Sequence, residues 1–128
     1  MKRREIRTDA APAPVGPYVQ AIEYAGLVYA SGQIPLDPAT GKIVEGEIEV
    51  QAHQVFANLA AVLGAAGSSL GQVVRASVYL TDLSLFPRVN AVYAEYMTGD
   101  PQPARSTVEV SALPLGADIE IDLIAALD

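Results

Sequence analysis

The spacing of apolar positions changes several times along the chain, and each change marks an element. Val19–Tyr24 and Leu27–Ser31 are short β-rich runs separated by Ala25-Gly26, which predicts a tight hairpin. Asp37-Pro38-Ala39-Thr40-Gly41-Lys42 supplies turn chemistry between Ile34 and Ile43. Over Glu47–Ala66 the period becomes helical. Ala52, Val55, Phe56, Leu59, Val62, Leu63 and Ala66 recur at three- and four-residue steps, carboxylates sit in the first turn, and Gly67 follows the last apolar position. Val73–Leu80 is again β-rich. Asp82 and Ser84 offer caps to a second helix reaching Met97, with a stripe of Phe86, Val89, Tyr93, Tyr96 and Met97; Pro87 is tolerated in its first turn. After the Pro/Gly loop Thr98–Pro103 come two last strands, near Arg105–Ser111 and Asp118–Ala126. The order β-β-(β)-α-β-α-β-β predicts one α+β domain over residues 1–128.

Period-two alternation assigns faces to those strands. Val108 and Val110 oppose Arg105, Thr107 and Glu109; Ile119, Ile121 and Leu123 alternate with Glu120 and Asp122. In Val73–Leu80, Val74, Ala76, Val78 and Leu80 oppose Arg75, Ser77 and Tyr79. Two helices cover one face of such a sheet. The other face is expected to carry Tyr29, Tyr79, Arg75, Arg105 and Glu109, a mixed surface that suits contact with another subunit or a ligand. The pattern therefore predicts a homo-oligomer with a site between subunits.

Composition and charge narrow the function. The chain is 51% apolar and 18% charged, without an 18-residue apolar run, and MKRREIRT has no apolar stretch behind its basic residues. A soluble, cytoplasmic domain with no membrane association is the expectation. Lys2, Arg3, Arg4 and Arg7 make residues 1–8 a basic arm, expected to be a solvated tail. Beyond it only Lys42, Arg75, Arg88 and Arg105 face 14 carboxylates. That body cannot build a groove for a phosphate backbone, so no nucleic-acid partner is expected.

With no cysteine there is no thiol nucleophile or cysteine-held zinc, and His53 is the only histidine, inside the first helix. No nucleotide loop or nucleophile-elbow motif occurs, and Lys2 and Lys42 lie in a tail and a turn. The chemistry left is that of arginine, carboxylates, hydroxyls and backbone groups. Arg105 with Glu120, Glu109 and Asp122 is the best constellation. The short link Ala112–Ala117 makes antiparallel pairing of the last two strands the default, which would put Arg105 and Glu120 on one face. An arginine there can grip a carboxylate through a two-pronged fork, and a nearby carboxylate can position or deprotonate a water. The same placement also fits an ordinary cross-strand or inter-subunit ion pair, and the pattern leaves both open. Asn90 interrupts the apolar stripe between Phe86 and Tyr93 and is expected to pin a neighbouring loop.

Pro103-Ala104-Arg105-Ser106-Thr107-Val108-Glu109-Val110, Leu113-Pro114 and Ile119-Glu120-Ile121 resemble the C-terminal signature of the reactive intermediate deaminase family (Rid, formerly YjgF). The resemblance extends back through Gly16-Pro17-Tyr18, Ala30-Ser31-Gly32-Gln33-Ile34-Pro35, Gln54, Asn58-Leu59, Val78-Tyr79-Leu80-Thr81-Asp82, and Val89-Asn90 with Tyr93. It implies a chorismate-mutase-like α+β fold: a six-stranded, mostly antiparallel sheet with two helices on one face, in a homotrimer with sites in the inter-subunit clefts. It also implies hydrolysis of reactive 2-imino acids, such as 2-iminobutanoate and 2-iminopropanoate, to 2-oxo acids and ammonia, with no metal or organic cofactor. Carried over by position, Arg105 would grip the substrate carboxylate and Glu120 would orient the water. Tyr18, Ser31 and Gly32 would line the cleft, backbone near Thr107 would meet the imine nitrogen, and Asn90 would support the site. Many active members have cysteine where this chain has Thr107. The alternatives are a hydrolase of another small imine, enamine or carbamate, a non-catalytic trimer binding 2-oxo acids, or the nuclease activity with which some members are labelled.

Overall fold

The computed structural model describes all 128 residues. The basic arm is not a free tail. Its residues Arg4–Ile6 form a strand, β1, that pairs antiparallel with β2 (Ala21–Tyr24). Ile6 is buried in the core, and Arg4 forms an ion pair with Glu23 across the two strands. An apolar residue inside the basic run is the signal that anchors it.

Strand β2 turns back into β3 (Leu27–Gln33) at Ala25-Gly26, as expected. Both turn residues have positive φ, 55° and 82°, the double left-handed geometry of tight hairpins. The Asp37–Lys42 turn then joins two short strands, β4 (Leu36–Asp37) and β5 (Lys42–Ile43), in a separate ribbon. The sixth strand of the main sheet is therefore β1.

Helix α1 (Ile48–Ala65) buries Ala52, Val55, Phe56, Leu59, Val62 and Leu63, the stripe read from the sequence. It ends where Gly67, at φ 85°, lets its own N–H reach the Gly64 carbonyl (3.1 Å) and that of Ser68 reach Leu63 (2.9 Å). These paired bonds are a Schellman ending, which needs a residue at ease with positive φ. Strand β6 (Val73–Leu80) leads to Asp82, which caps a short turn over Leu83–Leu85 rather than the helix itself. Helix α2 (Phe86–Tyr96) starts after that turn. The ring of Phe56 stacks on Tyr96 at 4.7 Å and meets Tyr93 edge-on at 5.9 Å, locking the two helices together.

The last two strands, β7 (Ala104–Glu109) and β8 (Ile119–Ala126), correct the expected pairing. They do not pair with each other. The sheet order is β1-β2-β3-β8-β6-β7, with every pair antiparallel except β6 and β7, which run parallel. The physical reason lies in their composition. Ile119, Ile121, Leu123 and Ala125 bury one whole face of β8, which suits a central position between two partners. Strand β7 carries Arg105, Ser106 and Glu109 and takes the edge, where polar residues are tolerated. Helix α2 serves as the crossover that a parallel pair requires.

The faces change accordingly. Parallel register matches Ala76, Val78 and Leu80 with Arg105, Thr107 and Glu109, so these three lie on the helix side. The valine of the matching open-face position, Val108, lies beside Tyr79 and is exposed. A register shift between Val73 and Arg75 likewise puts Val73, not Val74, into the core. The open face keeps Tyr29, Arg75, Ser77, Tyr79, Glu120 and Asp122 but loses Arg105 and Glu109.

Candidate active site

Two polar clusters sit on opposite sides of the sheet. The first begins with an irregularity in β3. Ala30 pairs with Leu123 and Gln33 with Ile121, so Ser31 and Gly32 together oppose the single residue Asp122. Such a bulge re-aims its residues out of the ladder. Ser31 is fixed by its N–H donating to the Gln20 carbonyl (2.9 Å) and its hydroxyl donating to the Val19 carbonyl (2.6 Å).

Gly32 leaves room for a neighbour. A Cβ there would stand 2.8 Å from Cδ of Glu120 and 3.1 Å from its Cγ, and the carboxylate lies closer still. Glu120 therefore rests directly over the Gly32 backbone. The segment in front of β2 is tied down by the buried Gln20, whose amide donates to the carbonyls of Thr8, Ala11 and Pro12 and accepts from the Thr8 N–H. This anchoring holds Tyr18 at the rim. Tyr18, Ser31, Gly32 and Glu120 thus share a cleft of about 510 Å³, walled by Val15, Ile34 and Leu115. Partial burial, then the charge of Asp122, pushes the Glu120 carboxyl above the usual carboxylate range.

The second cluster is on the helix side of the edge strand. The Arg105 guanidinium carbon lies 4.6 Å from the ring centre of Tyr93 and 5.1 Å from that of Phe86. Its Nη1 donates to Oδ1 of Asn90 at 2.7 Å. Phe86, Asn90 and Tyr93 are spaced i, i+4, i+7, which places all three on one face of α2 beneath the arginine. The structure gives Asn90 a partner different from the expected loop backbone. Arg105 has no carboxylate partner, and a hollow of about 480 Å³ opens beside it, lined by Asn90, Tyr93, Ala94, Met97, Gln102 and Pro103. Two residues along, Thr107 has its hydroxyl oxygen buried without a hydrogen-bond partner.

Within one chain the structure brings Tyr18, Ser31, Gly32 and Glu120 together, and Arg105 with Asn90. It does not bring Arg105 to Glu120. Two inter-strand steps, roughly 9.5 Å, a further offset of about 10 Å along the strands (Arg105 is level with Ala76 and Leu123) and opposite faces separate them. Glu109 is also elsewhere, accepting from the Leu83 N–H at 2.9 Å. His53 is exposed, its Nδ1 2.7 Å from the Tyr96 hydroxyl, and belongs to neither cluster. Sequence reasoning missed the Phe86–Tyr93 platform, although its helical spacing was visible, and it missed the anchoring role of Gln20.

The comparisons with known proteins agree with this architecture. Residues 8–127 match the family model described as endoribonuclease L-PSP. Protein DfrA of Myxococcus xanthus is 54% identical over 127 residues, covering 98% of this chain and 96% of its own. Reactive Intermediate Deaminase A, chloroplastic, of Arabidopsis thaliana is 46% identical over 127 residues, 99% of this chain and 67% of the relative. The crystal structure of a member of the conserved Rid protein family from Yersinia pestis superposes with a TM-score of 0.95 at 48% identity, covering 98% of this chain and 99% of that one. With its residues, fold and relatives in agreement, this chain belongs to the endoribonuclease L-PSP family, that of the Rid (formerly YjgF) proteins.

Proposed function

We propose that this protein hydrolyses reactive 2-imino and enamine acids, such as 2-iminobutanoate and 2-iminopropanoate, to 2-oxo acids and ammonia. The observation that carries this reading is the state of Arg105. Its guanidinium lies on two aromatic rings, is steadied by a neutral amide and has no carboxylate partner of its own. A planar cation so presented suits a small carboxylate, which it can take through a fork. The name of the Arabidopsis relative supports the same chemistry.

Arg105 binds the substrate carboxylate, Asn90 and the rings hold the arginine in place, and backbone near Thr107 contacts the imine nitrogen. Across the cleft, Glu120 holds the attacking water, with Tyr18, Ser31 and Gly32 forming the wall. A protonated imine is already electrophilic. Water adds to its carbon as Glu120 accepts the water's proton. Glu120 returns that proton to the carbinolamine nitrogen, the C–N bond breaks as the hydroxyl passes its own proton back to the Glu120 carboxylate and on to solvent, and ammonia and a 2-oxo acid leave. The gain is mainly positional, and a carboxylate with a raised pKa is the better base. Because Arg105 and Glu120 occupy opposite faces, the complete site forms between copies, in a homotrimer that sets the arginine cluster of one subunit against the Glu120 cleft of the next.

A coupled assay tests this. Threonine dehydratase generates 2-iminobutanoate, and semicarbazide traps what is not hydrolysed. The wild-type protein is expected to suppress semicarbazone formation and Arg105→Ala to lose that effect. If the wild type fails to suppress it, the proposed substrate is wrong.

A further inference from the structure

We propose that Asp122 is a positioning residue for this reaction, one whose carboxylate, held by the Tyr79 hydroxyl, sets how tightly Glu120 holds a proton. The proposal rests on the reading of Glu120 as the group that handles the water.

The geometry is that of one face of three strands. Glu120 and Asp122 are two residues apart on β8 and so project to the same open face, roughly 7 Å apart along the strand. On β6, Tyr79 is opposite Glu120 and Ser77 opposite Asp122. Tyr79 does not stay in its own row. Its hydroxyl reaches diagonally and donates to Oδ2 of Asp122 at 3.1 Å. Burial, then the charge of Asp122, raises the Tyr79 pKa further, so the hydroxyl remains a donor over the working pH range. Asp122 thereby takes a neutral donor, with no charge of opposite sign, on the face it shares with Glu120.

Within one chain no cation offsets the two carboxylates; the Arg105 of a neighbouring copy, placed across the cleft by the proposed trimer, is there to be taken up by the substrate carboxylate. From β3 the face offers Ser31 and Gly32, with Tyr29 farther along. From β6 it offers Tyr79, Ser77 and Arg75, and the Arg75 Nη2 donates instead to the Ser106 hydroxyl on β7 at 2.8 Å. From β7 come Ser106 and Val108, and from the rim of the cleft Tyr18 and Leu115. Asp122 makes no ion pair. An uncompensated negative charge near a half-buried carboxyl disfavours its ionised form and makes that form a stronger base. An ordinary stabilising role for the Tyr79–Asp122 pair would leave the titration of Glu120 unchanged.

The test uses the full protein, following the Glu120 carboxyl carbon by ¹³C NMR across pH, assigned with Glu120→Gln, alongside the pH profile of imine hydrolysis. Asp122→Asn is expected to move the Glu120 midpoint to lower pH and to carry the acid limb of kcat/KM with it. Tyr79→Phe keeps the charge but removes the hydrogen bond that spreads it, and is expected to move both upward. An unmoved midpoint in folded Asp122→Asn overturns the proposal. If that variant does not fold, an unmoved midpoint in Tyr79→Phe overturns it instead. If the midpoint moves while the acid limb stays, or if Glu120→Gln retains full activity, the reading of Glu120 falls, and the electrostatic link to Asp122 stands by the NMR result alone.

Discussion

Gly32→Ala isolates the placement of Glu120 from the stability of the fold. The backbone at Gly32 is not in the left-handed region, so alanine is locally acceptable and restricts the unfolded chain, a gain of about 0.4–1 kcal/mol. Against that, the new methyl would stand 2.8 Å from Glu120 Cδ and 3.1 Å from Cγ, well inside van der Waals contact. The crowded atoms belong to a side chain that can swing away, so the strain falls at the low end of the roughly 1–3 kcal/mol expected for overpacking. These opposing terms nearly cancel, and the melting temperature should change by only about 5 °C or less. Activity should not cancel. Relieving the contact carries the carboxylate about 1 Å or more from its seat, and a displacement of that size costs on the order of 100-fold in rate. The semicarbazide assay with thermal unfolding on the same samples reads both effects. A Gly32→Ala protein that folds and retains wild-type turnover would refute the idea that Glu120 works from its position over the glycine.

Other substitutions probe the remaining contacts. Arg105→Lys should lose most activity, because an ammonium cannot reproduce the fork or lie flat on Tyr93 and Phe86; near-full turnover in the assay would remove the two-pronged role. Thr107→Val removes a buried hydroxyl that has no partner, so urea unfolding should show stability unchanged or raised by about 1 kcal/mol, with activity kept if this position acts through its backbone. Arg88 bridges Glu47 and Glu49 at 2.8 and 2.7 Å, and it holds the Glu49 carboxyl down at about 2 from an ordinary 4.5. A depressed carboxylate stabilises above its unfolded pKa, so the melting-temperature gap between wild type and Arg88→Ala should be fully present above pH 4.5. It should close as pH falls toward 2 and shrink in high salt, since the groups are exposed.

The elements were legible wherever the cause was local. Gly67 stops α1 because its neighbours need a residue at positive φ, and Ala25-Gly26 turns the chain back by the same freedom. The partner of β7 was not legible in the same way. The short link Ala112–Ala117 imitates a hairpin connection, whereas the choice between β8 and β6 depends on which strand has a free edge after the most apolar one has taken the centre. That choice also decided where the valines went. Alternation correctly separated Val108 from Arg105 and Thr107, but the apolar residue landed outside because its strand follows the register of β6. The cleft residues Tyr18, Ser31 and Gly32 were reached through resemblance. Their geometry depends on a bulge opposite Asp122 and on the buried amide of Gln20, neither of which has a periodic signature.

The correction in strand pairing bears directly on function. Had β7 paired antiparallel with β8, Arg105 and Glu120 would have faced each other on one surface, and the simplest outcome is a cross-strand ion pair. Such a pair satisfies both charges before any substrate arrives, and a ligand carboxylate would have to displace Glu120 to reach the guanidinium. Placement on opposite faces removes that competition within the chain. Arg105 is steadied by aromatic rings and a neutral amide, which orient a cation without cancelling its charge. Glu120 rests over the bare backbone at Gly32, and within the chain burial and Asp122 push it toward protonation with no cation of its own beside it. Each group therefore retains what the proposed reaction asks of it: an arginine free to take a carboxylate, and a carboxylate basic enough to take a proton from water.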